Sequence, residues 1–189
     1  MNVYDFDNTI YRGESVLHFF FFYVRKTPYL IKYIPKVIFA LFKYKAGKIS
    51  VEKALEDYAP FIEDYFASID DIKADSVIFW DKHMKNIKPF YKILQRDDDV
   101  IVTASPECTM EEICKRLGIR YCVGSVIDVK SGKIERLCMR SRKVPAFLDA
   151  FPDAHIENFY TDSPKNDAPL IELAENAYLV KGNKIIKIK

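Results

Sequence analysis

The sequence predicts an α/β fold: a core built on a central parallel sheet, with an all-helical domain inserted after the first strand. Three observations carry this. Residues 100–104, Val-Ile-Val-Thr-Ala, form an uninterrupted apolar run, as a strand buried on both faces requires. From residue 88 onward strand-like and helix-like segments alternate, the pattern of a parallel sheet flanked by helices. Between residues 14 and 87 every segment reads as helix and none as strand. The expected division is therefore a core of residues 1–13 and 88–189 and a helical cap of residues 14–87.

Val3, Tyr4 and Phe6 read as a short buried strand that ends in polar residues. Ser15 is the expected N-cap of a helix over residues 16–26, which holds Phe19 to Phe22 and Tyr23. Pro28 restarts a helical run through Ile31, Ile34, Val37, Ile38, Leu41 and Phe42, with Lys32, Lys36, Lys43 and Lys45 interleaved. Gly47 is expected to break that helix and Ser50 to cap the next, residues 51–66. Ser68 and Asp71 have the spacing of a capping box ahead of a helix carrying Ile72, Phe79 and Trp80.

A short helix follows over residues 88–94, and Asp97, Asp98 and Asp99 read as a solvated turn. After the strand at 100–104, Ser105, Pro106 and Glu107 have the form of a helix start, with Gly118 as the stop. Residues 121–129 and 133–137 read as a hairpin turned by Ser131-Gly132. A helix over 143–150, a strand over 158–161, a helix over 170–174 and a hairpin over 177–188 complete the chain.

Composition bounds the function. With 30% charged and 49% hydrophobic residues the chain is an ordinary globular one. A net charge of +2 offers no case for nucleic acid as a partner. The four cysteines, Cys108, Cys114, Cys122 and Cys138, include no C-x-x-C pair, and free thiols of a cytoplasmic protein are expected. The chain opens on its acidic strand, so no signal peptide is expected before it. A membrane span needs about 18 uninterrupted apolar residues, and the aromatic stretch after Ser15 is broken by charge before that. Lys beside Phe and Tyr suits a lipid headgroup boundary, which makes peripheral membrane contact an alternative to a cap packed on itself.

Candidate chemistry gathers at the strand ends, where open α/β sheets form their sites. Asp5 and Asp7 stand two residues apart at the end of the first strand, so an extended chain points both carboxylates one way. Such crowding favours a cation between them. Asn8 and Thr9 follow with an amide and a hydroxyl. The strand at 100–104 delivers Thr103 and Ala104, and the strand at 158–161 delivers Asp162 and then Asp167. Lys143 begins the helix before that strand. Four carboxylates, hydroxyls and an ammonium on one rim suit phosphoryl transfer through an attacking carboxylate.

In these motifs the chain resembles haloacid dehalogenase (HAD) superfamily phosphatases, of the branch that includes phosphoserine phosphatase. Asp5-Phe6-Asp7-Asn8-Thr9 fits the family's Asp-x-Asp-x-Thr, and Val100 to Glu107 resembles its second motif. Lys143 fits the lone Lys, and Asp162-Ser163 to Asp167 fits the acidic fourth motif. The resemblance implies a HAD-like Rossmannoid core with a helical cap. It implies Asp5 as nucleophile and Asp7 as general acid/base. It implies Mg²⁺ held by Asp5, the Asp7 main-chain carbonyl and Asp162, with Asp167 orienting metal-bound water or Lys143. Thr103, Ala104 and Lys143 would bind the phosphoryl group, beside Asn8 and Thr9.

Three positions depart from the pattern: Asn8 where many relatives have Gly or Ser, Thr161 where Gly is usual, and a spacing of five rather than four between Asp162 and Asp167. Glu14 falls where phosphoserine phosphatases bind the substrate amine; it is equally an ordinary acid at a helix N-terminus. The expected function is thus Mg²⁺-dependent hydrolysis of a small phosphorylated metabolite. The alternatives are a lipid-headgroup phosphatase docked through its cap, and a catalytically silent binding module on the same fold. Oligomeric state is left open.

Overall fold

The computed structural model describes residues 1–45 and 51–189. The helix-breaking Gly47 and capping Ser50 expected from the sequence lie outside the described residues. In chain order the elements are β1 (Asn2–Tyr4), α1 (Ser15–Lys26), a 3₁₀ segment (Pro28–Tyr33), α2 (Ile34–Lys45), α3 (Val51–Ala67), α4 (Ile72–His83), α5 (Pro89–Leu94), β2 (Val100–Pro106), α6 (Glu107–Leu117), β3 (Tyr121–Ile127), β4 (Ile134–Arg136), α7 (Lys143–Ala150), β5 (Asn158–Thr161), α8 (Ala168–Leu173), β6 (Asn176–Lys181) and β7 (Lys184–Lys187).

The seven strands form one sheet in the order β4-β3-β2-β1-β5-β6-β7. The five central strands run parallel, and the two hairpin partners, β4 and β7, are antiparallel edges. The chain first moves outward from β1 to β2 and β3, then returns to place β5 on the other side of β1. That reversal makes the carboxyl end of β1, between β2 and β5, the topological switch point of the sheet.

Register explains why the central strands carry apolar residues at successive positions. Val3 pairs with Val100 and Phe159, and these side chains sink into a core with Phe147, Leu170 and Ala174. Tyr4 pairs with Ile101 and Tyr160 and faces the opposite core. There Tyr4 and Tyr160 stack at 4.6 Å, and Tyr160 and Tyr178 at 4.9 Å. At these positions β1, β2 and β5 are covered on both faces, so neither face is left for polar alternation.

The second of these cores continues into the helices between β1 and β2. Phe6, Tyr11, Phe19, Phe20, Tyr23, Phe79 and Trp80 belong to the same buried cluster as Tyr4 and Ile101. Trp80 Nε1 donates to the Thr109 carbonyl at 3.0 Å, which fastens α4 to α6. Where the chain leaves and rejoins the sheet, Tyr11 and Ile87 form a bridge and Lys88 N donates to the Ile10 carbonyl.

Local differences from the sequence reading have local causes. The run after Pro28 begins as a 3₁₀ turn and becomes α-helical only at Ile34. Asp71, not Ser68, caps α4, accepting from Lys73 N and Ala74 N; the Ser68 hydroxyl donates to the Tyr65 carbonyl instead. Ser105 and Pro106 prolong β2 rather than start a helix, because Pro106 resumes pairing opposite Ser125 after an irregularity. Asp99 is not solvated. It is buried and accepts from Tyr91 Oη and Arg96 N, anchoring the turn into β2.

Candidate active site

Asp5 continues β1 by one residue, donating its N–H to the Tyr160 carbonyl. Its carboxylate is therefore aimed by the sheet itself. Oδ1 lies 2.7 Å from Lys143 Nζ and Oδ2 accepts from Thr9 Oγ1 at 3.2 Å. Thr9 sits in a tight turn in which Thr9, Ile10 and Tyr11 all donate to the Phe6 carbonyl. Its hydroxyl also accepts from Asp162 N at 2.8 Å, so one oxygen ties the end of β1 to the end of β5.

Lys143, the first residue of α7, is only 4% exposed. Its ammonium lies between Asp5 and Asp167, 2.8 Å from Asp167 Oδ1. Asp167 is itself buried at the start of α8, and its Oδ2 accepts from Thr161 Oγ1 at 2.6 Å. Thr161, where relatives have Gly, thus has a use: its hydroxyl fixes the acid that faces Lys143.

Asp7 has partners of its own. Its Oδ1 accepts from Ser15 N at 2.7 Å and its Oδ2 from Ser105 Oγ at 2.8 Å. The two serine hydroxyls lie 3.0 Å apart. The N-terminus of α1 is capped by a carboxylate from the preceding loop, not by Ser15, which suits the positive end of the helix dipole. Asp5 and Asp7 thus have different hydrogen-bond partners, while the charge of Asp5 still raises Asp7.

Asn8 explains the departure at its position. It has φ +59°, in the left-handed region that Asn tolerates better than most side chains. Its Oδ1 accepts from Gly13 N and its Nδ2 donates to Glu14 Oε1 at 3.0 Å. Glu14 is therefore held on the rim by Asn8. Thr103 is buried and accepts from Ser105 N at 3.1 Å, while Ala104 is exposed beside it.

Electrostatics follow from burial. Desolvation raises Asp5 above the usual carboxylate range, against the pull of Lys143. Burial pushes Asp7 up to about 7, although Ser15 and Ser105 stabilise its charge. Asp162 also rises to about 7, by burial first and then by the nearby charges of Asp5, Glu14 and Asp167. Lys143 is raised: its two carboxylate partners outweigh its own burial. Lys88 is lowered by burial, partly offset by Asp162.

The sequence reading missed three groups. Lys88 is buried, reaches the Asn8 carbonyl with Nζ and feels Asp162 and Asp5. Ser15 and Ser105 position Asp7. In the sequence each serine has the form of a helix cap and Lys88 opens a short helix; no spacing connects residues this far apart in the chain.

The chemistry of the donor set fits a divalent cation. Asp5, Asp7, Asp162 and Asp167 outnumber the nearby ammoniums, and the Asp162 carboxylate accepts no hydrogen bond among the described residues while three other acids raise its affinity for protons. Among the described residues no three acidic, His or Cys side chains cluster closely enough to hold a metal alone. A hard cation that keeps several waters needs no such cluster.

A parallel sheet with a carboxylate and a lysine buried at its switch point, and an acidic pair at the next strand end, defines a Rossmannoid hydrolase of the haloacid dehalogenase type. The family model for haloacid dehalogenase-like hydrolases matches residues 3–172, and the chain belongs to that family. Its fold is similar to that of a protein of unknown function from Bordetella pertussis Tohama I, with 18% identity, 94% of this chain and 87% of that chain covered, and a TM-score of 0.77. It is similar to a phosphoserine phosphohydrolase-like protein from Francisella tularensis subsp. tularensis SCHU S4, with 16% identity, 97% and 88% coverage and a TM-score of 0.62. It also resembles a phosphoserine phosphatase solved as a phospho-aspartyl intermediate analogue, with 16% identity, 93% and 83% coverage and a TM-score of 0.52. No match is found among curated protein sequences.

Proposed function

We propose that this hydrolase is an Mg²⁺-dependent phosphomonoesterase that works through an aspartyl phosphate on a small phosphorylated metabolite. The observation that carries the reading is the setting of Asp5: a carboxylate aimed by the sheet, nearly buried, with Lys143 2.7 Å away. An Asp5 oxygen attacks phosphorus, and the bond from phosphorus to the ester oxygen breaks. Asp7, raised to about 7, gives its proton to the departing oxygen. It then takes a proton from the water that cleaves the acyl phosphate, which returns Asp5 to its starting state. Lys143 neutralises charge on Asp5 and on the incoming phosphoryl oxygens. Asp167, fixed by Thr161, holds Lys143 in place and is a positioning residue.

Asp5, Asp162 and the Asp7 carbonyl would hold Mg²⁺, which when bound supplies charge neutralisation to the phosphoryl group. Ala104, which is exposed, and the Thr103 hydroxyl lie at the irregularity in β2, where phosphoryl oxygens would need donors. Glu14 would meet a substrate cation at the rim, as an aminated phosphate such as phosphoserine carries. A panel of phosphate esters, assayed for released phosphate with Mg²⁺, tests the activity. Asp5→Asn should reduce turnover of every active ester to background. Turnover retained in that variant would remove the mechanism.

A further inference from the structure

Beyond the catalytic rim, the surface carries a second feature that catalysis does not use. Residues 15–51 contain seven Lys and Arg and no Asp or Glu, although the whole chain has a net charge of only +2. Residues 15–51 therefore carry a net charge of +7, and the rest of the molecule taken together a net −5. The same segment exposes large apolar side chains. Ile38, Phe39 and Phe42 are 57%, 54% and 66% exposed, and Ile31 in the preceding 3₁₀ segment is 54% exposed.

These residues form a face. On α2, Pro35, Ile38, Phe39 and Phe42 recur at the i, i+3, i+4, i+7 spacing of one helix side. Val37, on the opposite side, is buried in the shared core. The helix is thus apolar both inward and outward, which packing against the protein alone does not require. Lys43 Nζ lies 4.5 Å from the Phe39 ring centre, and Lys32 Nζ 4.9 and 4.7 Å from the rings of Tyr29 and Tyr33. Lysines laid along aromatic rings, with their ammoniums at the edge of an apolar stripe, match the boundary between acyl chains and headgroups.

We propose that the outward face of the 3₁₀ segment and α2 docks on a bilayer surface of anionic phospholipid. A helix of 12 residues is too short to span, and no helix among the described residues is long and apolar enough to do so. It lies in the plane of the interface, with Ile38, Phe39 and Phe42 among the outer acyl carbons and Lys32, Lys36 and Lys43 among the phosphates. A second copy of the chain fits this face poorly, because two-fold pairing would set its lysines against themselves. The docking does not depend on the catalytic reading.

Co-sedimentation with vesicles tests it. Vesicles of phosphatidylcholine with about 30% phosphatidylglycerol should bind the wild-type protein at low ionic strength and lose it at high salt, while pure phosphatidylcholine binds it far less. Lys36→Glu/Lys43→Glu should weaken binding at least about 10-fold. Phe39→Ser/Phe42→Ser should also weaken it, with both variants keeping the wild-type circular dichroism and ester turnover. Should either fail to fold, Lys32→Gln and the salt titration of the wild type carry the test. Absence of wild-type binding at low salt, binding indifferent to these changes, or a dimer that the Phe variant dissolves without any vesicle binding would each overturn the proposal.

Discussion

The tip of β1 and the outward face of α2 solve opposite problems with the same amino-acid types. At the tip, buried charges are paired: Asp5 and Asp167 close on Lys143, and Thr9 and Thr161 supply further donors. On α2 apolar groups face outward with lysines around them. Phe79 and Phe42 make the contrast at a single residue type. Phe79 is fully buried among Phe19, Phe22, Trp80 and His83, whereas Phe42 is 66% exposed. The lesson is that hydrophobicity alone does not mark the core here, and charge alone does not mark the surface.

The sharpest way to break this comparison is at Asp7. Asp7→Asn keeps the shape but cannot deliver a proton, and should slow turnover by about 10²- to 10⁴-fold. In the wild type the burst of aspartyl-phosphate formation should fall as pH rises, because only the protonated acid serves the departing oxygen, with bound Mg²⁺ drawing the midpoint below the metal-free value of about 7. A rapid-quench pH profile checks both.

Next in size is Lys143→Met. It removes the ammonium shared by Asp5 and Asp167 and leaves two buried acids facing each other. Urea unfolding at pH 8 should register a loss of about 3–5 kcal/mol. Phe79→Ala should cost about the same by cavity formation, whereas Phe42→Ser should stay within about 0.5 kcal/mol. A comparable loss at Phe42 would mean that its face is not free, and the contrast between the two phenylalanines would collapse.

A further effect couples pH to the metal. Asp7 and Asp162 have folded values near 7, above the ordinary 3.8 of an unfolded carboxyl. A raised acid favours folding most below the unfolded value, and that contribution disappears as pH climbs through the folded one. Without metal, the melting temperature should therefore decline between pH 5 and pH 8, by about 10 degrees if both shifts act in full. Mg²⁺ favours the ionised forms, so it should raise the melting temperature at pH 8 and hardly at pH 5. Asp162→Asn should abolish the metal-dependent rise in a thermal melt.

The strand ends were legible in the sequence because each is announced locally. An apolar run stops at Asp5, at Thr103 or at Asp162, and a parallel sheet must then bring those stops to one edge. Lys143 was legible for a similar reason, since it opens a helix next to that edge. Lys88, Ser15 and Ser105 were not, because their partners lie far along the chain and their own neighbourhoods look like ordinary helix caps. Asp99 was misread for the same cause: in a triplet of acids, nothing local says which one turns inward to Tyr91.

The sequence by itself determined the alternation of elements, the identity of the acids at the strand ends and the family to which they belong, since periodicity and short motifs are written in neighbouring residues. Only the tertiary structure decided that Asp5 and Asp7 take different hydrogen-bond partners, that Lys143 stands between Asp5 and Asp167, and that Phe39 and Phe42 look outward while Phe19 and Phe79 look in. Those outcomes depend on which groups meet after the chain has folded back on itself. Burial and pairing between distant residues leave no trace in the order of neighbours.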